Sequence, residues 1–254
     1  MRRIILSGCN GSMGQVVSQA VLDRHDCVII SGFDINTKMA SDYDYRVFSD
    51  PSEFVGNADV IIDFSSPVFL PKLLAFATTR KIPTVIATTG LNPAQIEQLR
   101  ETSLTVPIFF SANMSLGVNL IVELTKKAAA VLGDSFDIEI IEMHHNQKLD
   151  APSGTALMIA DSISNVLPQE PQYIYDRHSV RRRREKKEIG IHSVRGGTIV
   201  GEHEVIFAGK DEVITIRHSA MSKQVFATGA INAALFLCNQ KPGLYNMGDL
   251  VASK

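Results

Sequence analysis

The amino-acid sequence predicts an α/β protein with a doubly wound parallel sheet and a second, α+β part built on a mixed sheet. The first prediction rests on residues 3–111, where short strand-like runs alternate with helix-like runs, the order that right-handed βαβ units require. The second rests on residues 189–216, where strand follows strand with glycine turn signals between them, which favours antiparallel or mixed pairing. The two patterns together indicate two structural parts with different sheets.

Continuous apolar runs identify the strands of the first part. Residues 60–62 and 85–86 are apolar throughout, as expected for strands that helices cover on both faces of a parallel sheet. The predicted strands span residues 3–7, 28–33, 59–64, 84–87 and 108–111. The predicted helices between them span residues 13–22, 67–80 and 93–101. This alternation is typical of a Rossmann-like fold.

The periodicity changes after Asn113, where a long amphipathic segment begins. The predicted elements that follow are a helix over 116–132, a strand over 136–144, a helix from 153 and strands within 189–216. A last helix over 223–238 has an apolar face suited to packing on the first sheet. We therefore predict a dinucleotide-binding domain formed by residues 1–115 with 217–254, and a substrate-binding domain over residues 116–216.

Composition and cysteine usage restrict the class of protein. Of 254 residues, 45% are hydrophobic and 20% are charged, which is ordinary for a globular chain. No apolar run approaches the length that crosses a bilayer, and the N-terminal apolar stretch is too short for a signal peptide. Cys9, Cys27 and Cys238 are widely spaced, which favours reduced thiols in the cytoplasm over disulfides or a zinc site. The net charge of −2 gives no reason to expect nucleic acid or a membrane as partner.

A glycine-rich turn joins the first strand to the first helix. It reads Gly8-Cys9-Asn10-Gly11-Ser12-Met13-Gly14. Glycine lets a phosphate approach bare backbone N–H groups at the positive end of a helix dipole. Asp34 ends the next predicted strand, 20 residues after Gly14, where a carboxylate can accept hydrogen bonds from ribose hydroxyls. The spacing G-x-x-G-x-x-G departs from the usual G-x-G-x-x-G, so a tight turn without a ligand is the alternative.

Three further strand ends meet at the same carboxyl edge of the predicted sheet. They are Phe64-Ser65-Ser66-Pro67, Ala87-Thr88-Thr89-Gly90 and Ser111-Ala112-Asn113-Met114. Small hydroxyl and amide residues at these positions are where a doubly wound fold places cofactor contacts. Helix capping explains each of them equally well when taken alone, as for Ser66 before Pro67. Their convergence on one edge favours binding.

The residues after Asp34 bear on the choice between NADH and NADPH. An acid at this position repels a 2′-phosphate, whereas a neighbouring arginine would bind it. The neighbours are Ile35, Asn36 and Thr37, with Lys38 further along. We therefore expect NADH to be preferred, with dual use left open.

Residues 142–156, E-M-H-H-N-Q-K-L-D-A-P-S-G-T-A, combine titratable groups with the start of a helix. His144, His145 and Lys148 lie at the end of a predicted strand, and N–H groups of Ser153, Gly154 and Thr155 open the helix that follows. The list of expected substrate contacts is therefore His145, Ser153, Gly154 and Thr155. A dianionic substrate suits this place, and a histidine or a lysine can supply the proton that accompanies hydride addition.

Metal binding by this segment is the main alternative, and it is disfavoured. Adjacent histidines on a strand point to opposite faces, and neither H-x-H nor H-x-x-x-H spacing occurs there. Core histidines and simple helix capping explain the dihistidine and the lysine together poorly, because the segment is polar. We therefore expect no metal.

This segment resembles the signature of the dihydrodipicolinate reductases, E-x-H-H-x-x-K-x-D-A-P-S-G-T-A, at every specified position. Other blocks similar to that family are Met13-Gly14, Asp63-Phe64-Ser65-x-Pro67, Thr88-Thr89-Gly90, Ala112-Asn113-x-Ser115-x-Gly117-Val118-Asn119 and Val200-Gly201-Glu202-His203. The resemblance covers nearly the whole chain. It implies NAD(P)H-dependent reduction of a cyclic dicarboxylate in diaminopimelate and lysine biosynthesis, by a homotetramer assembled through sheets of the second domain.

The resemblance also implies roles for individual residues. His144 would be a proton donor or acceptor, and Lys148 a second proton donor. His145 would hold the substrate, and Gly154 and Thr155 would bind a carboxylate. The residues expected at the dinucleotide are Gly8, Cys9, Asn10, Gly11, Ser12, Met13, Asp34, Ala87, Thr88, Thr89, Ser111, Ala112, Asn113 and Met114.

Two departures from the family pattern stand out. Ala87 replaces a glycine that usually precedes Thr-Thr-Gly. Residues 181–188, R-R-R-R-E-K-K-E, replace a glycine-containing loop. We interpret this basic run as a solvated loop, with a flexible flap that attracts the dianionic substrate as the alternative.

Two other functions remain compatible with the sequence. One is a different two-domain nicotinamide enzyme of amino-acid metabolism, although no cysteine has a nucleophile setting of the semialdehyde dehydrogenase type. The other is a nucleotide-sensing protein without turnover, which would not need both His144 and Lys148.

Overall fold

The computed structural model describes residues 1–38 and 43–253 and divides the chain into two compact units. The first unit comprises Met1–Leu116 and Lys223–Lys254, and the second comprises Gly117–Ser222. The chain thus leaves the first unit once and returns to it through its last helices. The predicted second crossing was at residue 217, six positions earlier than the observed one.

The first unit contains a seven-stranded parallel sheet. Its strands are β1 (Arg2–Ser7), β2 (Cys27–Phe33), β3 (Arg46–Phe48), β4 (Val60–Asp63), β5 (Thr84–Ile86), β6 (Pro107–Phe110) and β12 (Gly243–Tyr245). The spatial order is β12-β6-β5-β4-β1-β2-β3, and every neighbouring pair is parallel. The strand order reverses between β1 and β4, which is where doubly wound sheets open a crevice. The predicted parallel sheet is confirmed, with the three-residue strands β3 and β12 added to it.

Helices cover both faces of this sheet. They are α1 (Ser12–Leu22), α2 (Leu70–Arg80), α3 (Pro93–Ser103), α6 (Gln224–Leu237) and α7 (Met247–Ala252). Ile4 and Ile62 face the core under α1 and α6, whereas Ile5 and Ile61 face the core under α2 and α3. Because neighbouring strand residues point to opposite faces, strands between two helical layers must be apolar throughout.

Helix α2 begins three residues later than predicted, at Leu70 rather than at Pro67. Pro71 explains the difference, because a proline inside a helix removes one backbone hydrogen bond and clashes with the preceding turn. The helix therefore starts where Pro71 falls in its first turn. Residues 66–69 form a turn closed by the Phe69 N–H, which donates to the Ser66 carbonyl oxygen over 3.0 Å.

The second unit contains a five-stranded mixed sheet. Its strands are β7 (Asp137–His144), β8 (Gln172–Ile174), β9 (Glu188–Arg195), β10 (Gly201–Ala208) and β11 (Val213–Ala220). The spatial order is β11-β10-β7-β9-β8. Strand β10 is antiparallel to both of its neighbours, while β7 and β8 are parallel to β9. The predicted mixed sheet is therefore confirmed.

One face of the mixed sheet packs against two helices, α4 (Leu116–Leu132) and α5 (Gly154–Ser164). Ile140 and Phe207, on adjacent strands, are fully buried in this core. Alternate residues of the same strands point to the other face, which the described residues leave partly exposed. No helix of the described chain is long and apolar enough to cross a membrane.

The basic run from residue 181 is tied to the mixed sheet through Arg184. Its guanidinium donates to Glu139 Oε1 from Nε over 3.0 Å and to Asp137 Oδ1 from Nη1 over 2.9 Å. Nη2 also donates to the Glu188 carbonyl oxygen over 2.5 Å. Arg183 beside it is exposed. Arg184 therefore does not fit the interpretation of a fully solvated or free-moving loop, because β7 supplies two carboxylates that the linear sequence places far away.

Arg184→Met should destabilise the protein by about 2 kcal/mol, because it leaves partly buried carboxylates and carbonyl groups without their donor. Denaturant unfolding measures this change. Arg183→Met removes the same charge from a solvent-exposed side chain, so its unfolding free energy should stay within about 0.5 kcal/mol of the wild type. Equal stabilities of the two variants would show that Arg184 is not a structural tie.

Candidate active site

The glycine turn between β1 and α1 is a site where only glycine fits. Gly8 has a positive φ of 74°, and a Cβ atom there would lie 2.6 Å from the Phe64 carbonyl oxygen. A Cβ atom on Gly14 would lie 2.2 Å from the Gly8 carbonyl oxygen. The turn thereby brings the ends of β1 and β4 against the start of α1. The N-terminus of α1 presents backbone N–H groups there, as a pyrophosphate requires.

Asp34 follows β2 and is bound to the glycine turn. Its Oδ2 accepts from the Asn10 N–H over 3.0 Å, and its Oδ1 accepts from the Asn36 N–H over 3.0 Å. The Asn10 side chain donates in turn to the carbonyl oxygens of Asn36 and Lys38, over 2.6 and 2.9 Å. The carboxylate is therefore held at one end of the crevice, where the adenine ribose of a dinucleotide would lie.

Two adjoining cavities form the crevice, with volumes of about 210 and 400 Å³. The first is lined by Gly8, Gly11, Phe33, Asp34, Ile35, Phe64, Ser65, Ser66 and Phe69. The second is lined by Gly11, Ser12, Met13, Phe64, Ser65, Ala87, Thr88, Thr89, Ala112, Asn113, Met114 and Phe226. Because the two cavities share Gly11, Phe64 and Ser65, they form one groove along the carboxyl edge of the sheet.

Not every predicted cofactor residue lines this groove. Cys9 is buried beneath it, with its thiol facing Gly32, and burial raises the pKa of that thiol to about 12. The Ser111 hydroxyl donates to the Asn113 carbonyl oxygen over 2.8 Å and so shapes the loop after β6. Only backbone atoms of Cys9 are therefore placed to meet a ligand in the turn.

Two residues at the groove were missed at the level of sequence. Asp63 is fully buried at the end of β4 and accepts from the hydroxyls of Ser65 and Thr88, each over 2.6 Å. Burial raises the pKa of this carboxyl. Lys223, just before α6, donates from Nζ to Ser12 Oγ over 3.1 Å and places a cation at the glycine turn. The fold brings Lys223 there from 211 residues away, so no local pattern could have indicated it.

These features fit a dinucleotide. The glycine turn provides a cradle that any larger residue would fill, Lys223 adds positive charge beside it, and Asp34 stands at the ribose position.

In the second unit, a buried carboxylate organises the end of β7. Glu142 is fully buried and accepts from both terminal nitrogens of Arg195, over 2.6 and 2.8 Å. It also accepts from His144 Nδ1 over 2.6 Å and from the Ser153 N–H over 3.2 Å. Burial by itself raises the pKa of Glu142, but hydrogen bonds from Arg195, Ser193 and His144 outweigh it and bring the pKa to about 2. The group is therefore a carboxylate at neutral pH.

His144 lies on the same face of β7 as Glu142, because the two are two residues apart in a strand. Its side chain is 11% exposed. Burial lowers the pKa of His144, and the charges of Lys148 and Arg195 lower it further, against the opposing effect of Glu142. A Cβ atom on Gly201 would lie 3.1 Å from His144 Nε2, so glycine leaves room for the ring. His144 can therefore exchange a proton near neutral pH.

Ser153 caps α5 and connects it to a second buried histidine. Its Oγ accepts from the Ala156 N–H over 3.1 Å and lies 2.9 Å from His203 Nε2. Burial lowers the pKa of His203 to about 4, and its ring meets that of His144 edge to face at 5.3 Å between centroids. With its hydroxyl and N–H both engaged, Ser153 shapes the helix terminus, and its predicted contact with a substrate stays a prediction.

The remaining predicted substrate residues surround this terminus. Gly154 is exposed, and the space around its α-carbon is open enough that an added Cβ atom would meet nothing within 4 Å. Thr155 and His145 are half-buried. Lys148 is 20% exposed, and its Nζ donates to Asp150 Oδ1 over 2.8 Å. The loop thus gathers positive groups beside an accessible helix N-terminus, which suits a carboxylate ligand.

Sequence reasoning found the members of this cluster that are close together in the chain. It missed the roles of Glu142, Arg195 and His203. The i, i+2 spacing of Glu142 and His144 in a strand was an available signal. Arg195 and His203 reach β7 only through strand pairing with β9 and β10. Among residues 1–38 and 43–253, no group of three or more His, Cys, Asp or Glu side chains could hold a metal ion.

Comparisons with known proteins cover the whole chain. The family described as dihydrodipicolinate reductase matches with its N-terminal part over residues 2–114 and with its C-terminal part over residues 117–251. The chain is 55% identical over 251 residues to a 4-hydroxy-tetrahydrodipicolinate reductase of Caldanaerobacter subterraneus subsp. tengcongensis, covering 99% of this chain and 98% of that protein. It is 45% identical over 254 residues to the protein of the same name from Clostridium novyi, covering 100% of both.

Solved structures agree with this assignment. A dipicolinate-bound dihydrodipicolinate reductase from Paenisporosarcina sp. TG-14 matches with a TM-score of 0.82 at 26% identity, covering 97% of each chain. A myo-inositol dehydrogenase from Corynebacterium glutamicum matches with a TM-score of 0.60 at 16% identity, covering 100% of this chain and 93% of that one, and shares the fold alone. The chain belongs to the dihydrodipicolinate reductase family.

Proposed function

We propose that this protein is an NAD(P)H-dependent reductase that converts 4-hydroxy-tetrahydrodipicolinate to tetrahydrodipicolinate in diaminopimelate and lysine biosynthesis. The observation that carries the proposal is the cluster at the end of β7. There, His144 is hydrogen-bonded to an ionised carboxylate and lies near Lys148 and an open helix N-terminus. A groove suited to a dinucleotide in the same chain, together with relatives of that name at 45–55% identity, supports it.

The first unit holds the cofactor in this proposal. The glycine turn and Lys223 bind the pyrophosphate, and Asp34 binds the adenine ribose. Bound NAD(P)H supplies the hydride. Asp63 orients Thr88 on the wall of the groove, and the loop over residues 111–114 closes the wall at its other end.

The second unit holds the dicarboxylate. The N–H groups at the start of α5 bind one carboxylate at Gly154 and Thr155, where the helix dipole favours negative charge. His145 and Lys148 face the rest of the ligand. Ser153 keeps the helix terminus in place through its bonds to Ala156 and His203.

Proton delivery belongs to His144 and Lys148. The substrate ring loses its hydroxyl group as water, and the resulting double bond gains one hydride and one proton. His144 Nε2 or Lys148 Nζ supplies that proton, since each is a nitrogen that exchanges protons with water. The order in which the two donors act is left open.

Oxidation of NADH and NADPH, followed by absorbance with substrate generated enzymatically in the same cuvette, tests the function. We expect oxidation that depends on the substrate-generating step. Binding of the nucleotide without any turnover would contradict the proposal and favour a nucleotide-sensing protein.

His144→Ala and Lys148→Ala should each lower kcat by about 10²–10⁴-fold, because each removes a group that supplies the proton. NADH affinity, measured by fluorescence titration, should stay unchanged in both variants. His25→Ala and Lys127→Ala remove the same residue types from exposed positions and serve as controls. Near-normal turnover in both test variants would refute the assignment of proton donors.

We also propose a preference for NADH. Asp34 stands at the ribose position with its carboxylate held by two backbone N–H groups, and Ile35 beside it is 90% exposed. A 2′-phosphate would meet this negative charge, and arginine is absent from the neighbouring positions 35–38.

Asp34→Ala should therefore raise KM for NADH by about 10–100-fold, the loss expected for hydrogen bonds to a charged acceptor, while KM for NADPH rises less or falls. Steady-state kinetics with both cofactors measures the ratio. Asp23→Ala, at an exposed position after α1, is the matched control. An unchanged NADH to NADPH ratio in Asp34→Ala would exclude Asp34 as the residue that sets the preference.

A cytoplasmic homotetramer completes the proposal. Cys9, Cys27 and Cys238 are free thiols, which a reducing compartment maintains. The face of the mixed sheet away from α4 and α5 carries apolar side chains that are exposed in the described chain, such as Val194 at 43% and Val213 at 63%. Burial of such a surface favours association. Sedimentation equilibrium should give four times the chain mass, and a stable monomer would contradict this part of the proposal.

A further inference from the structure

His144 is held by a buried ion pair that lies behind it in the sheet. We propose that Glu142 and Arg195 are positioning residues for the proton on His144. The carboxylate keeps the ring in one tautomer, and the guanidinium limits how tightly the carboxylate holds the imidazolium. The inference rests on the proposed function, since it assigns a role to residues that act through its proton donor.

The pair is fixed from three sides. Glu142 sits on β7, the central strand, between β10 and β9, and it is fully buried. Arg195 reaches it from the end of β9 with both terminal nitrogens, and those nitrogens also donate to the carbonyl oxygens of Val194 and Asp150, each over 2.7 Å. The planar guanidinium is thereby locked in a fork geometry that lysine could not reproduce. Neither charge can turn away from His144 without losing several hydrogen bonds.

The geometry leaves one tautomer for neutral His144. An ionised carboxylate only accepts hydrogen bonds, so the 2.6 Å contact with Glu142 Oε2 requires a proton on His144 Nδ1. The nitrogen that gains and loses a proton is then Nε2, beside Gly201. Without the carboxylate, both neutral tautomers would be populated, and only part of the enzyme would present Nε2 in the form that can be protonated.

The second effect concerns charge. A carboxylate 2.6 Å from the ring stabilises the imidazolium, and by itself it would hold the proton too firmly for transfer. Arg195 offsets that charge. The other charged or titratable groups that face His144 are Lys148, whose ammonium opposes the imidazolium, and His203, which is neutral at pH 7. Asp150 pairs with Lys148 at the edge of the cluster.

Titration of the His144 ring by NMR, in protein carrying ¹⁵N-labelled histidine, tests the proposal without any turnover. A His144→Gln spectrum assigns its signals among the seven histidines. In the wild type we expect the Nδ1–H tautomer at high pH. Glu142→Gln should lower the His144 pKa and populate both tautomers. Arg195→Met should raise the His144 pKa by about one unit or more, as expected when a neighbouring carboxylate loses its counter-ion.

The pair must also behave as a unit. In the Glu142→Gln background, Arg195→Met should produce much less than its single-variant rise, because the guanidinium acts mainly through the carboxylate. Arg195→Lys keeps the charge and should restore most of the wild-type pKa with a less well-fixed ring. Arg100→Met, which removes an exposed arginine that pairs with Glu97, is the control and should leave His144 unchanged.

Kinetics provide the second readout. With a raised His144 pKa, the proton is lost at higher pH, so the alkaline limb of the kcat profile in Arg195→Met should move upwards. NADH affinity should not change. A purely structural role would lower stability and leave both the tautomer and the limb in place. If Arg195→Met does not fold, Glu142→Gln still decides the matter through its own pKa and tautomer.

An unchanged tautomer and an unchanged His144 pKa in Glu142→Gln would overturn the inference, as would a lowered pKa in Arg195→Met. These outcomes differ from failure of the proposed function. A protein that oxidises neither NADH nor NADPH with the generated substrate could still show the expected His144 titration. A fully active reductase could show none.

Discussion

The buried Glu142 carboxylate is the point on which the second unit depends. It joins β7 to β9 through Arg195, reaches the start of α5 through the Ser153 N–H and binds the His144 ring. A carboxylate without partners in this position would be strongly destabilising. Four hydrogen-bonded approaches therefore have to be satisfied at once, and satisfying them places the helix terminus and the titratable ring side by side.

A steric constraint has the corresponding place in the first unit. Gly8 and Gly14 allow β1, β4 and α1 to approach so closely that a single added carbon at either position would overlap backbone atoms. That approach creates the crevice at the point where the strand order reverses. One unit is thus organised by the absence of side chains and the other by a buried charge, and the proposed reaction needs both.

Much of this architecture was accessible from the sequence, because the signals were local. Alternation of apolar runs predicted the five central strands of the first sheet, and the helix over Leu116–Leu132 was predicted at its observed bounds. The short strands β3, β8 and β12 were missed, since three residues carry no periodicity and pair only because a neighbouring strand is available. The basic run was interpreted as solvated, whereas Arg184 binds carboxylates on β7 more than forty positions earlier in the chain.

The sequence by itself determined the fold class, the glycine turn, the acid after β2 and the segment that carries His144 and Lys148. Each of these depends on residues close together in the chain, where spacing alone limits the geometry. Only the tertiary structure decided which groups surround them: Arg195 and His203 beside His144, Lys223 beside Ser12, and Asp63 beneath Thr88. The physical reason is that proton affinity and charge balance depend on burial and on neighbours across strands, and the pairing of strands far apart in sequence sets both.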